Sequence, residues 1–297
     1  MTAKSVELLK GAYDLHVHSG PDVVGRKLDD LEMAERLEKV GMKGYGIKSH
    51  YFCTAERAKL VNKVYPNVNP IGAIALNNSV GGLNPLAVEL AARDGAKIVW
   101  MPTVDATNEQ EYFKKGNHKK LPFWAKLQKE LMEQGKTQSS ISILEGNQLK
   151  KEAIDVLDVI KNHDLILATG HLGKDETFAL VKAASEMMIR KIVITHPNFP
   201  STRYTKEEQK ELTNLGAYLE FCFTTPHSEK TTWREVYEEI KFSGAENCIL
   251  STDLGQPAGV FPDEGLQMFV DNLLENGFNE DEIRQMTVKN TTFLVEG

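Results

Sequence analysis

Long hydrophobic runs and a surplus of positive charge are both missing from this sequence. No stretch of about 18 apolar residues occurs, so no segment reads as a membrane span and no membrane partner is expected. The opening MTAKSVELLKGAYDLHVHSG has neither the apolar stretch nor the small-residue cleavage site of a secretory signal, which points to a cytoplasmic protein. Lys plus Arg number 35 against 42 Asp plus Glu, a formal charge of −7. Nucleic-acid binding needs clustered cations and is not expected. Cysteine is scarce: Cys53, Cys222 and Cys248 are three in number, far apart, with no C-x-x-C. That argues against a disulfide framework and a cysteine zinc site, leaving them as small buried apolar residues. No G-x-G-x-x-G or P-loop occurs, so no nucleotide cofactor is implied, and Gly81-Gly82 reads as a tight turn.

What is present is a globular composition, 41% apolar and 26% charged, which excludes disorder as the main theme. Short β-branched runs alternate with amphipathic helical stretches along the whole chain, the pattern of an α/β protein with parallel strands. The expected strands are residues 12–17, 44–49, 70–76, 97–103, 165–170, 191–196, 217–223 and 248–253. Eight such units match the count of a TIM barrel. Helix punctuation supports the alternation: Asn84-Pro85 opens a helix, Thr205 to Glu208 and Asn279 to Glu282 read as capping boxes, and Leu31, Ala34, Leu37 and Val40 share one face before Gly41.

The gap from Thr103 to His171 is longer than any other between successive strand ends, so an insertion is expected after strand four, over residues 104–148 of a single 1–297 domain. It holds KKGNHKK, the aromatic piece LPFWAKLQKELMEQG and an extra strand in SSISILEG. Loops after barrel strands build the functional face, so the insertion is placed to act as a lid; a decorative cap or a homo-oligomer contact is the other reading.

Six of the eight histidines, His16, His18, His50, His171, His196 and His227, fall at or just beyond strand ends. A closed barrel brings such ends together on one face. The two-residue period of a strand turns His16 and His18 to the same side, while His171, His196 and Asp253 end strands five, six and eight. Neutral imidazoles with a carboxylate suit Zn²⁺, and also Mn²⁺, Fe²⁺ or Co²⁺. Pro197 is expected to hold His196 extended. Taken singly, each residue has a plainer reading as a buried or helix-capping side chain; the joint pattern favours a shared metal.

On these residues, over nearly the whole chain and in matching strand order, the sequence resembles the amidohydrolase superfamily. The resemblance implies a distorted (β/α)8 TIM barrel with one or two divalent metals, His16, His18, His171 and His196 as histidine ligands, and Asp253 as the strand-eight aspartate. The ending EDEIRQMTVKNTTFLVEG is also similar to that family's. It implies a hydrolase using a metal-activated water on an amide, lactone, ester or related bond. Asp253 would then move protons, and His196 would complete a second site or hold the water or substrate oxygen.

One departure stands out: strand four ends WMPTVDA, without the bridging Lys or Glu of many binuclear members. Asp105, Glu145 and Glu220 read better as caps or surface groups. Lys48, sharing inward parity with His50, reads as a bridge, a substrate anchor, or a lysine snorkelling to water. One metal is slightly preferred and a second stays open. Lys48, His50 and Arg203, with Arg26 nearby, suggest a small anionic substrate. Three alternatives remain: a decarboxylase using the same metal; a phosphoesterase of the polymerase and histidinol phosphatase type, whose T-D-H stands here as IKSH; and an inactive ligand-binding barrel. A serine or cysteine nucleophile lacks a G-x-S-x-G context at Ser251 or Cys222, and Trp100 and Trp124 read as core and lid packing.

Overall fold

The computed structural model describes residues 2–116, 123–136 and 139–297. Eight parallel strands run around a barrel: β1 Tyr13–Val17, β2 Gly44–Ile47, β3 Asn69–Ala75, β4 Ala96–Trp100, β5 Ile166–Ala168, β6 Ile192–Thr195, β7 Ala217–Cys222 and β8 Cys248–Ser251. Each pairs in sequence order with the next. The architecture is the (β/α)8 barrel that the strand count implied.

Alternation along each strand separates two apolar layers. Ile71, Ala73, Ala75, Ile98, Trp100, Ile166, Ala168, Val193 and Ile249 fill the barrel interior, while Ile74, Val99, Leu167, Ile194, Leu219 and Leu250 pack outward with the helices. Each fully buried Ile, Leu or Val among them contributes roughly 1.5–3 kcal/mol. Leu294 and Val295 of the C-terminal helix Asn290–Glu296 join the inner cluster and close the N-terminal end of the barrel. The other end is left for chemistry.

The ring closes beyond the regular strands. No ladder joins β8 to β1; instead Asp253 N donates to His16 O and His18 N to Leu254 O, both at 2.8 Å. Below them the buried Asp14 carboxylate accepts from Thr252 N and Oγ1 at 3.0 and 2.5 Å. The seam therefore runs through the residues singled out for chemistry.

Asn84, Thr205 and Asn279 cap their helices as read. One face is corrected: in Asp30–Val40 the buried residues are Asp30, Met33, Ala34 and Leu37, and Leu31 is exposed. Asp30 goes inward because Arg57 and Ser19 satisfy its carboxylate. In the insertion, helices Thr107–Lys115 and Phe123–Glu133 precede an antiparallel hairpin, Leu144–Glu145 with Gln148–Leu149, where a single strand was expected. Parts of KKGNHKK and of the aromatic piece lie in 117–122, outside the described residues. No helix among the described residues is long and apolar enough to cross a membrane.

Candidate functional site

β1 shifts register against β2 between Asp14 and Val17. Tyr13 and Leu15 lie with the interior cluster and Val17 with the outer one, so His16 and His18 both turn inward and meet at Asp253 Oδ1, and His18 lines the mouth of the barrel. A local register shift re-aims side chains in this way. On β2, Gly46 shares the inward parity of Lys48; a Cβ there would collide with the Leu15 carbonyl, so glycine permits the close approach of the two strands. Asn77 fastens the next loops, donating to His50 O at 2.8 Å and Thr103 Oγ1 at 2.7 Å while accepting from Thr103 N at 2.9 Å. His171 follows Gly170, which has φ +62° and no room for a Cβ beside the Met101 and Pro102 carbonyls.

His196 and Asp253 both take left-handed backbone, with φ +51° and +53°. The extended conformation expected of His196 before Pro197 is not found. The chain turns sharply there, and Thr202 Oγ1 donates to the His196 carbonyl at 2.7 Å to hold the turn. Such conformations cost of order 1–3 kcal/mol each and persist where surrounding structure enforces them.

Five imidazoles close into a circuit around the mouth. Ring centres are 5.4 Å apart for His16 and His18, 5.0 Å for His18 and His50, 6.1 Å for His50 and His171, 5.7 Å for His171 and His196, and 5.0 Å for His196 and His16. Asp253 enters from β8, its Oδ1 at 3.0 Å from His16 Nε2 and 3.2 Å from His18 Nε2, and its Oδ2 at 3.8 Å from His196 Nε2. Thr224 Oγ1 donates to Oδ2 at 3.0 Å. Burial alone would raise the Asp253 carboxyl, but His16, His18 and His196 hold it well below the usual carboxylate range.

The far nitrogens of the two β1 histidines are fixed. Glu220, fully buried on β7, lies 3.1 Å from His16 Nδ1, and Lys48 O lies 3.0 Å from His18 Nδ1. A proton held at each Nδ1 leaves each Nε2 for another partner. Burial pushes His18, His50 and His196 well below the ordinary imidazole range, with Arg26 reinforcing it at His18 and His18 at His50. His16 differs: burial and Lys48 oppose its protonation, but Glu220 and Asp253 outweigh them. Lys48 Nζ lies 2.8 Å from His16 Nε2 and 4.0 Å from the Trp100 ring centre. Burial lowers its pKa against the pull of Asp253 and Glu220.

This donor set fits a divalent metal. His16, His18 and Asp253 offer ligand atoms within 4.8 Å of one another, as do His16, His196 and Cys222. Among the described residues His196 Nδ1, buried, has no hydrogen-bond partner. Nitrogen and carboxylate donors at a strand-end mouth suit zinc-like ions, whereas burial drives the Cys222 thiol well above its usual pKa and keeps it protonated.

Above the donors opens a cavity of about 580 Å³, bounded by Arg26, Lys48, Phe199 and Lys230 and, from the insertion, by Glu109, Tyr112, Phe113, Phe123 and Trp124. This volume is in the range of small-molecule sites.

Residues 11–220 match the model of a family described as of unknown function, DUF6282. The chain belongs to that family. Its sequence matches no curated protein. Solved structures share the barrel: an amidohydrolase from Pseudomonas aeruginosa at 11% identity, covering 99% of this chain and 98% of that one with TM-score 0.64; a TatD homologue from Escherichia coli at 14%, covering 97% and 99% with TM-score 0.60; and a probable 2-pyrone-4,6-dicarboxylic acid hydrolase from Acinetobacter baumannii with citric acid bound, at 11%, covering 97% and 100% with TM-score 0.56. At such identities the likeness is one of fold, the (β/α)8 barrel.

The geometry sorts the expected residues of this DUF6282 member. His16, His18, His196 and Asp253 converge, and His50, His171 and Lys48 face the same cavity. His171 is in neither three-donor group; its Nδ1 lies 3.4 Å from Glu109 Oε1. Lys48 does not snorkel, being fully buried. Arg203 is corrected: it lies outside the cavity lining, half exposed, with Nη2 on Glu235 at 2.5 Å, because the turn after His196 carries it toward helix Trp233–Ser243. Asp105 accepts from Asn78 N and Gln128 Nε2, both at 2.8 Å, and ties the insertion down. Glu145 is exposed in the hairpin. Glu220 is neither cap nor surface: the alternation of Tyr218, Glu220 and Cys222 against Leu219, Phe221 and Phe223 carried the signal for its inward position. Glu109 and Lys230 had no such signal, since each sits beyond a strand.

Proposed function

We propose that this protein is a metal-dependent hydrolase acting on an amide, ester or lactone bond of a small anionic molecule. The observation that carries this reading is the convergence of His16 Nε2, His18 Nε2 and Asp253 Oδ1 at a cavity that His18 and Asp253 line. Zinc is the ion the donors suit best, and a single ion accounts for the tight group. Such an ion, when bound, lowers the pKa of a water from 15.7 toward about 7 and polarises a carbonyl.

The chain's own residues supply the rest. Glu220 and the Lys48 carbonyl fix the tautomers of His16 and His18. Asp253, ionised at neutral pH and steadied at Oδ2 by Thr224, is placed to take a proton from the attacking water and return it to the leaving group. Neutral His196 and His50 can hydrogen-bond the substrate oxygen, and His50 is oriented by Thr103 Oγ1 at 2.9 Å from its Nδ1. The insertion covers this chemistry with aromatic side chains and serves as its lid.

Several structures of the same fold are described as hydrolases, dipeptidases or a lactonase, which favours hydrolysis over decarboxylation. The test is a panel of carboxylated amides, esters and lactones assayed with metal-loaded wild type and Asp253→Asn. Turnover lowered about 10²–10⁴-fold in the variant, with its metal retained, supports the reading. Equal turnover in both would remove Asp253 from the chemistry.

A further inference from the structure

Among the described residues, three cationic side chains besides the imidazoles border the cavity, and two are already engaged. Arg26 sets Nε and Nη2 on Asp22 Oδ2 at 2.8 and 2.5 Å. Lys48 lies on His16 Nε2. Lys230 stands apart: its ammonium lies 4.2 Å from the centre of the Phe199 ring, and among the described residues no carboxylate pairs with it. Lys230 is exposed, and its ammonium, resting on the Phe199 ring with no counter-ion among the described residues, is open to an anion entering the cavity.

The segment that carries Lys230 is built to hold a position. Lys230 N donates to Thr225 O at 3.0 Å, Ser228 Oγ donates to Thr224 O at 2.6 Å, and Glu229 takes a left-handed φ of +59°. The short helix Thr224–His227 just before it touches Asp253 through the Thr224 hydroxyl, so one segment positions both the free cation and the reaction-centre carboxylate. On the other side Phe199 lies 5.4 Å from the His196 ring centre, which links the Lys230 shelf to the donor group. Phe113 and Trp124, their ring centres 4.9 Å apart, add an apolar wall from the insertion.

We propose that Lys230 docks a carboxylate of the substrate, with a ring-sized apolar body lying between Phe199 and the Phe113–Trp124 wall and the hydrolysable bond reaching His16, His18 and Asp253. This rests on the hydrolase reading for the bond it names; the docking itself is measurable without turnover.

The test is isothermal titration calorimetry on the full-length, metal-loaded protein with 3-phenylpropionate and its uncharged amide, 3-phenylpropanamide, using wild type, Lys230→Met and Lys230→Arg. A charge-assisted contact of this kind gives wild type at least about a tenfold preference for the carboxylate. Lys230→Met abolishes most of that preference with metal content and melting temperature unchanged, and Lys230→Arg keeps it. A preference that survives in Lys230→Met assigns the carboxylate to the metal or another cation and overturns the proposal. So does wild type binding neither probe, or both equally. Carboxylate binding that depends on Lys230 while no ester, amide or lactone is turned over would sink the hydrolase reading and leave the docking site standing.

Discussion

Replacing Glu220 with glutamine separates the proposed metal role of the site from its packing. The change is nearly isosteric, the residue is fully buried, and its Oε2 lies 3.1 Å from His16 Nδ1 while Oε1 has no partner among the described residues. In wild type the carboxylate secures the Nδ1 proton of His16 and leaves Nε2 to face Asp253. A glutamine can present an oxygen at the same place, but without charge. Loss of such a supporting partner typically lowers metal affinity about 10–100-fold, which corresponds to roughly 1.4–2.7 kcal/mol. The assay is competition against a chromophoric zinc chelator at pH 8.5, where protons compete least for His16. Glu220 also raises the His16 pKa, so acid competes with metal sooner in wild type; Glu220→Gln should move the acid loss of binding to lower pH. Unchanged zinc affinity together with an unchanged pH profile would refute the argument that Glu220 sets the state of His16.

Gly170→Ala should cost at least about 2 kcal/mol, because φ +62° is unfavourable for alanine and the added carbon meets the Met101 and Pro102 carbonyls; chemical denaturation measures it, and a loss below 0.5 kcal/mol would mean that the turn relaxes freely. Asp14 supplies a pH prediction: burial outweighs its bonds to Thr252 and lifts its pKa from 3.8 to about 7. A raised carboxyl pKa means the folded state binds the proton more tightly, so this stabilisation is full below pH 3.8 and is lost as pH rises through about 7. Asp14→Asn should flatten the dependence of the urea midpoint on pH across that window, and an identical slope in the variant would contradict the assignment.

Much of the fold was legible because the inner and outer layers each follow a period of two. Ile98 and Trp100 fill the barrel while Val99 packs outward, and that alternation is written in the sequence. The site histidines were legible for a related reason, since strand order alone carries His16, His18, His171 and His196 to one mouth. Backbone conformation there was not. Pro197 argued for an extended His196, yet the tertiary turn held by Thr202 prevails with φ +51°. Arg203 follows a strand as closely in sequence as residues that do reach the cavity, and loop direction sends it to Glu235. Lys230 and Glu109 arrive through loop and insertion geometry, which periodicity does not encode. Glu220 could have been placed, since an acidic residue at an inward position of a buried strand needs a partner, and His16 is that partner.

The central claim is that His16, His18 and Asp253 hold a divalent metal, and metal content of the purified protein tests it most directly. Inductively coupled plasma mass spectrometry should find roughly one divalent ion per chain in wild type after reconstitution, and close to none in a His16→Ala, His18→Ala double variant that keeps its circular dichroism spectrum. Wild type that holds no ion after reconstitution, or a double variant that holds as much as wild type, would contradict it.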